Sequence, residues 1–523
     1  MITYVVVGNV TGNVFCRLPI LLIPNRHQHI CTLVKIQCTL PLALLIIGVI
    51  YFFGSGNVSG TVNYLMKGRR IMKKIRKLAA LVLMASLIAG MTSGCSKNQA
   101  SSKKAREIYF LNFKPEIADK YKAIVSEYEK KTGVHVKVVT AASGTYEQTL
   151  KAEVAKSDPP TIFQINGLVG YKNWKDYCAD LSGSKLYSYL QDKSLAIKDG
   201  DGVYGIPYAV EAYGIIYNDS IMKKYFALPN KAVSINSADE IKNFQTLKQV
   251  VEDMTKHKSE LGIDGVFAST SLTKGEEWRW QTHLANLPFY YEFKENTKYD
   301  DTVLAGINTK DITFKYNQNY KNIFDLYINN STVDKKMLGS KSVADSMSEF
   351  ALGKAAMVQN GVWAWSQISG VQGNVIKDTD VKFMPIYTGI EGEEQQGLCI
   401  GTENFFAINS KVSKEKQQDS LDFLDWLFSS TEGKKHVIED LGFIAPFNTF
   451  TDSEKPQDPL AQQTISWMKR TDVKIVPWTF ESFPSQNFKD IFGAQLLQYC
   501  QGKVTWDDLV KTVIKAWKVE SEA

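Results

Sequence analysis

Carboxylates and tryptophans share several short stretches of this chain, and together they suit one kind of chemistry. Glu211 lies in A-V-E-A-Y-G, Trp363 and Trp365 in N-G-V-W-A-W, Trp278 and Trp280 in E-E-W-R-W-Q-T-H, and Trp478, Phe480, Glu481 and Phe483 in P-W-T-F-E-S-F. Flat aromatic rings cover the apolar C–H face of a pyranose, while carboxylates and amides exchange hydrogen bonds with the hydroxyls on its rim. Such an inventory suits carbohydrate binding without specifying it. It also suits a secreted glycosidase, which needs two carboxylates facing each other across the glycosidic bond. Glu211 and Glu481 could serve in that way, but no motif pairs them. Most aromatics are core residues in any protein, and for Trp365 the core is the expected place.

Other chemistries find less footing. His135, His257, His283 and His436 are far apart, and no H-E-x-x-H or paired C-x-x-C occurs, so no metal or other cofactor is expected. The G-x-x-x-x-G-K-[ST] phosphate loop is missing, so any ATP hydrolysis must belong to a partner. The formal charge is +6, part of it in basic tracts around Met72. No basic stripe is interleaved with aromatics, which argues against nucleic acid. Past Cys95, only Cys178, Cys399 and Cys500 remain. Their odd number and wide spacing predict buried apolar side chains rather than a disulfide framework.

The elements that must position these residues alternate. Glu107 to Phe113 is an apolar strand, and Pro115 and Glu116 then suit the first turn of a helix. Ile117, Tyr121, Ile124 and Tyr128 recur at helical spacing up to Lys130-Lys131-Thr132-Gly133. Val134 to Ala141 reads as a strand, Gly144 to about Lys156 as a helix, and Pro160 to Asn166 as a third strand. That order makes a parallel sheet flanked by helices, with ligands beyond the carboxyl ends of the strands. Lys114, Glu116 and Asn166 lie at such ends, where for Lys114 and Glu116 helix capping competes with ligand contact. G-I-I-Y-N and K-A-A-M-V-Q-N-G read as further strands and Asp419 to Phe428 as a helix. Thr505 and Asp508 resemble a capping box before a C-terminal helix.

Ahead of this lies a different kind of segment. Lys73, Lys74, Arg76 and Lys77 precede an apolar run, Leu78 to Ile88, too short to span a bilayer comfortably. Met91-Thr92-Ser93-Gly94-Cys95 follows and resembles a lipobox, with Thr92 where leucine is usual. Residues 72–94 are therefore expected to be a lipoprotein signal peptide, Cys95 the acylated residue, and 95–104 a polar tether. The codons for Lys67 to Met72 can form a purine-rich ribosome-binding site before ATG. Met72 is accordingly expected to be the start, with residues 1–71 not translated.

Three segments, Val203 to Asn218 (V-Y-G-I-P-Y-A-V-E-A-Y-G-I-I-Y-N), Phe350 to Trp365 (F-A-L-G-K-A-A-M-V-Q-N-G-V-W-A-W) and Gly401 to Asn409 (G-T-E-N-F-F-A-I-N), carry a family resemblance. In order and spacing the chain resembles the extracellular solute-binding proteins of ABC sugar importers, in the group that includes maltose-binding protein, over roughly Arg106 to Val519. The resemblance implies an α/β fold of two lobes with hinge strands and an interlobe cleft, one lobe of 105–209 plus 402–450 and the other of 210–401 plus 451–523. It implies a carbohydrate, most of all an oligosaccharide, as ligand, with Trp363 stacking on the sugar and Glu211 and Asn166 hydrogen-bonding to it. Lys114, Glu116, Trp280, Glu403 and Phe483 complete the expected ligand-binding set. Val362 stands where the motif commonly has proline and Phe163 where maltodextrin binders have tryptophan, which speaks against maltose itself. The expected protein is thus a monomeric, lipid-anchored receptor on the outer face of the cell membrane that delivers sugar to ABC permease subunits and catalyses nothing.

Overall fold

A computed structural model describes residues 2–7, 16–21 and 106–522. Ile2–Val7 and Cys16–Leu21 form an antiparallel pair in a unit of their own. Cys95, the signal segment 72–94 and the tether 95–104 lie outside the described residues.

Residues 106–522 build two six-stranded sheets. The first contains β1 (Glu107–Asn112), β2 (His135–Thr140), β3 (Ile162–Asn166), β4 (Ile197–Asp199) and β5 (Gly202–Pro207). The second contains β6 (Glu211–Asn218), β7 (Gly265–Phe267), β8 (Ala355–Gly361), β9 (Val381–Met384) and β10 (Gln396–Gly401). The chain then returns to the first sheet as β11 (Asn404–Ile408) and adds β12 (Lys474–Val476) to the second. The strand orders are β2-β1-β3-β11-β5-β4 and β12-β10-β6-β8-β7, with β9 also on β6. Each sheet with its helices makes one lobe of a two-lobe α/β fold.

β1, β2 and β3 are parallel neighbours, as the β-α-β-α-β alternation predicts. β11 then enters antiparallel between β3 and β5, so the sheet is mixed. Alternate residues of β1 bury into opposite faces: Ile108 and Phe110 meet Ile124, Phe406 and Phe428 on one side, and Leu111 meets Leu150, Phe163 and Ile165 on the other. Burial on both faces explains why these strands read as continuous apolar runs. The second sheet is likewise covered on both sides. Its larger core buries Cys399 and Cys500, and burial pushes the Cys399 thiol up to about 12. Cys178, Cys399 and Cys500 are all free.

Local chemistry sets the ends of elements. The run from Pro115 forms one 3-10 turn, Pro115–Ile117, and a separate α-helix, Lys120–Thr132, ended by Gly133 at φ 72. Thr505 and Asp508 make one half of the expected cap, the Asp508 N–H donating to Thr505 Oγ1 at 3.2 Å, while the hydroxyl itself donates to the carboxylate at 2.6 Å.

Two of the three crossings between the sheets run side by side. β5 leads into β6 and β10 into β11, and across them Phe405 pairs with Pro207 and Gly401 with Glu211. Glu211 opens the strand after one crossing, and Glu403 lies within the other. Asn112, Asn166 and Asn404 all fall at one end of the first sheet, because β11 runs opposite to its parallel neighbours.

Candidate functional site

The site begins at the turn after β1. The Asn112 amide donates to the Lys114 carbonyl at 2.7 Å and accepts from the Lys114 N–H at 3.2 Å, which clamps the loop. Lys114 occupies the cap position of the following turn without capping it. Its ammonium instead reaches Glu211 Oε1 and Oε2 at 2.8 and 3.1 Å, with Glu116 Oε1 at 3.7 Å. Lys114 and Glu211 are each 5% exposed. Burial works against the lysine charge, but the carboxylates of Glu211 and then Glu116 outweigh it and hold the Lys114 pKa above its ordinary value.

Trp363 meets this pair from the second lobe. β8 ends at Asn360-Gly361, and the indole folds back over Gly361 so closely that a Cβ there would lie 2.2 Å from Trp363 Cη2. The glycine of the motif is thus a space requirement. Lys114 Nζ stands 5.6 Å from the Trp363 ring centroid, within range of cation–π attraction.

Lys114, Glu116, Glu211, Trp363 and Trp365 line a cavity of about 410 Å³, with Gly442 and Phe443 also in its lining. Trp365, expected in the core, is half-buried and packs against the core of the second lobe while also forming cavity wall. Behind Trp363 the aromatic wall continues. Trp278, His283 and Trp478 lie 5.9, 5.4 and 6.4 Å from it between ring centroids. Tyr213 stacks on His283 at 4.3 Å and an interplanar angle of 10°. Burial, reinforced by the charges of Arg279, Lys114 and Lys489, pulls the His283 pKa well below its usual value and keeps the ring neutral. The Trp363 and Trp478 indole N–H groups are buried with no hydrogen-bond partner in the protein.

Arg279 stacks on Trp278, its Cζ 3.8 Å from the indole centroid. Burial pulls its pKa down to about 9, partly offset by Glu276 and Glu116, so it stays charged at neutral pH.

The remaining candidates divide. Asn166 caps the helix Gly167–Trp174 by position only; its Oδ1 is buried and unpartnered, and it faces Asn404, whose amide has no partner either. Glu403 is half-buried in the crossing, and burial raises its carboxyl pKa despite nearby Lys489 and Lys114. Glu481, also half-buried, sits against Gly167, and burial lifts its pKa well above the usual range. Trp280 and Phe483 are not brought to the cavity. Trp280 is 2% exposed in the core, its indole N–H donating to the Ser271 carbonyl at 3.0 Å. Phe483 packs among Phe289, Phe488 and Trp517 at 5.2 to 5.6 Å.

A π-helical segment, Arg279–Leu284, separates the two tryptophans of W-R-W, Trp278 beside Trp363 and Trp280 in the core. Its wider turn sets Trp278 beside His283, five positions on, with ring centroids 4.9 Å apart. Spacing at three and four residues gives no sign of that, and the buried polar groups of Arg279, His283 and Asn404 near the crossing were not marked in the sequence. Among the described residues no cluster of His, Cys, Asp and Glu is placed to hold a metal, and no helix is long and apolar enough to cross a membrane.

A family model described as bacterial extracellular solute-binding protein matches residues 123–463. Among solved structures, the chain is similar to a chitin oligosaccharide binding protein at 16% identity and a TM-score of 0.61, over 80% of this chain and 100% of that one. It is also similar to maltose-bound MalE3 of T. maritima, at 14% identity and a TM-score of 0.59 over 79% and 100% of the two chains. A sugar transporter from Bacillus licheniformis in complex with stachyose matches at 15% identity and a TM-score of 0.56, again over 79% and 100%.

Proposed function

The chain belongs to the bacterial extracellular solute-binding proteins, and from that premise we propose that it captures a carbohydrate in the cleft beside Trp363 and delivers it to the permease of an ABC importer. The observation that carries this reading is the indole of Trp363, presented from the second lobe beside Glu211 of the same lobe, to which Lys114 reaches across from the first. A ring face for C–H groups and charged acceptors and donors for hydroxyls thus lie in one cavity. The carbohydrates named for the chitin-oligosaccharide, MalE3 and stachyose-bound structures favour the same class of ligand.

The mechanism is a population shift. Trp363 and Trp478 belong to the second lobe, while Lys114, Asn166 and Asn404 belong to the first, so a sugar touching both sets favours the closed arrangement in which both contacts exist. The lobes of this account are 105–209 with 402–450 and 210–401 with 451–523, turning about the paired crossings. The protein acts as a monomer, anchored outside the membrane through acylated Cys95, while a partner ATPase supplies the energy. Mass spectrometry of the mature N-terminus tests the anchor; an unacylated start elsewhere would remove it.

The state of Glu211 supports binding rather than hydrolysis. Its carboxylate is committed to the Lys114 ammonium, which suits neither the proton donor of a glycosidase nor a free nucleophile. Calorimetric titration with di- and trisaccharides, followed by product analysis, tests the reading. Tight binding with the sugar recovered intact is the expected result; release of shorter sugars would overturn it.

A further inference from the structure

Arg279 is 2% exposed, and neither Nε nor Nη1 of its guanidinium has a hydrogen-bond partner in the protein. Buried cations are ordinarily paired and hydrogen-bonded, because desolvation otherwise goes uncompensated. The two carboxylates whose charge reaches Arg279 are occupied elsewhere. Glu276 Oε2 accepts the Val343 N–H at 2.7 Å, and Glu116 lies 3.7 Å from the Lys114 ammonium. Neither makes a hydrogen bond to the guanidinium.

The face of the guanidinium is covered by the Trp278 indole at 3.8 Å. What remains is its in-plane edge of N–H donors, a fork that matches the two oxygens of a carboxylate. Trp278 is in turn 5.9 Å from Trp363, so the fork stands one aromatic ring away from the sugar platform. His283, the other basic group against Trp278, is neutral and leaves the anion to Arg279.

We infer that the cleft selects an acidic sugar, a uronic acid unit whose carboxylate seats on Arg279 while the sugar lies against Trp363. This rests on the carbohydrate reading above and narrows it to one class of ligand. Arg279 is then the residue that sets specificity, and Lys114, already bound to Glu211, is not its equivalent.

The test compares matched disaccharides by calorimetry at physiological ionic strength: digalacturonate against galactobiose, and cellobiouronate against cellobiose. The expected result is that the wild-type protein binds the uronate of at least one pair about tenfold or more tighter than its neutral partner. Arg279→Gln narrows that gap to about threefold or less, and Arg279→Lys keeps an intermediate preference, having the charge without the fork. The wild-type comparison decides without either variant. Neutral sugars bound as tightly as uronates, or a sulfated disaccharide preferred to the carboxylated one, would overturn the assignment and leave the carbohydrate reading standing. If no sugar binds, acidic or neutral, both readings fall.

Discussion

Glu211→Gln should destabilise the protein through Lys114 rather than through any contact of its own. The ammonium it leaves behind is 5% exposed and loses acceptors at 2.8 and 3.1 Å, keeping Glu116 at 3.7 Å. Removing one partner of a buried pair costs about 3–5 kcal/mol, and the residual Glu116 interaction places this case near about 3 kcal/mol. Lys114→Met should cost a similar amount by stranding the Glu211 carboxylate. Lys114→Met with Glu211→Gln removes both charges and should cost well under the sum, giving a coupling of about 2–3 kcal/mol. Urea denaturation of the four proteins measures it. The Lys114 pKa is raised, so the lysine's stabilising contribution is fully present below the ordinary lysine value and is lost only as pH climbs through the folded one. The Glu211→Gln cost should therefore hold constant from about pH 6 to 9. Single variants costing under about 1 kcal/mol, with an additive double, would refute the buried pair.

Three further outcomes are expected. Burial raises the Glu481 pKa, so the charged carboxylate opposes folding above the ordinary glutamate value and ceases to do so as pH falls below it; Glu481→Gln should melt higher than wild type at about pH 8 and equally near pH 4, and equal melting at both would contradict the assignment. His436 is pulled down by burial but raised overall by Asp440 and Glu127, so its contribution is present below the ordinary histidine value and lost as pH rises through the folded one; His436→Gln should be destabilising near about pH 6 and neutral near pH 9, and a constant difference would show that the ring does not titrate with folding. Gly144 has φ +70, and a Cβ there would meet Gly275 Cα at 2.6 Å, so Gly144→Ala should hinder approach of the lobes and leave the ligand-bound protein with a larger radius of gyration in small-angle scattering; an unchanged radius would deny that this contact limits closure.

Much of the fold was legible because its signals are local. The alternating faces of Ile108, Phe110 and Leu111, and the helical spacing of Tyr121, Ile124 and Tyr128, each lie within one element and are buried as those periods require. The antiparallel entry of β11 was not legible, since its partners Ile162 to Asn166 are far away in sequence and pairing leaves no local mark. At the site the same division holds. Trp363 was marked by the Asn360-Gly361 turn before it, and that turn exposes it to the cavity. Trp280 and Phe483 sit in aromatic-rich runs whose members differ only in which way the backbone faces them, and the π-turn after Trp278 sets Trp278 beside His283 and leaves Trp280 in the core. Lys114 could be read as a helix-end residue, but its partner Glu211 is visible only once the crossing lies beside the first loop.

The central claim, that sugar lies on Trp363, is tested most directly by comparing Trp363→Ala with Trp280→Ala in calorimetric titrations of the cognate saccharide. Trp363→Ala should lose about 2 kcal/mol or more of binding, the scale of truncating an anchoring aromatic and about thirtyfold in Kd, with little change in melting temperature. Trp280→Ala should instead lose about 3–5 kcal/mol of folding stability as a core tryptophan does. Full affinity in a folded Trp363→Ala protein would contradict the account.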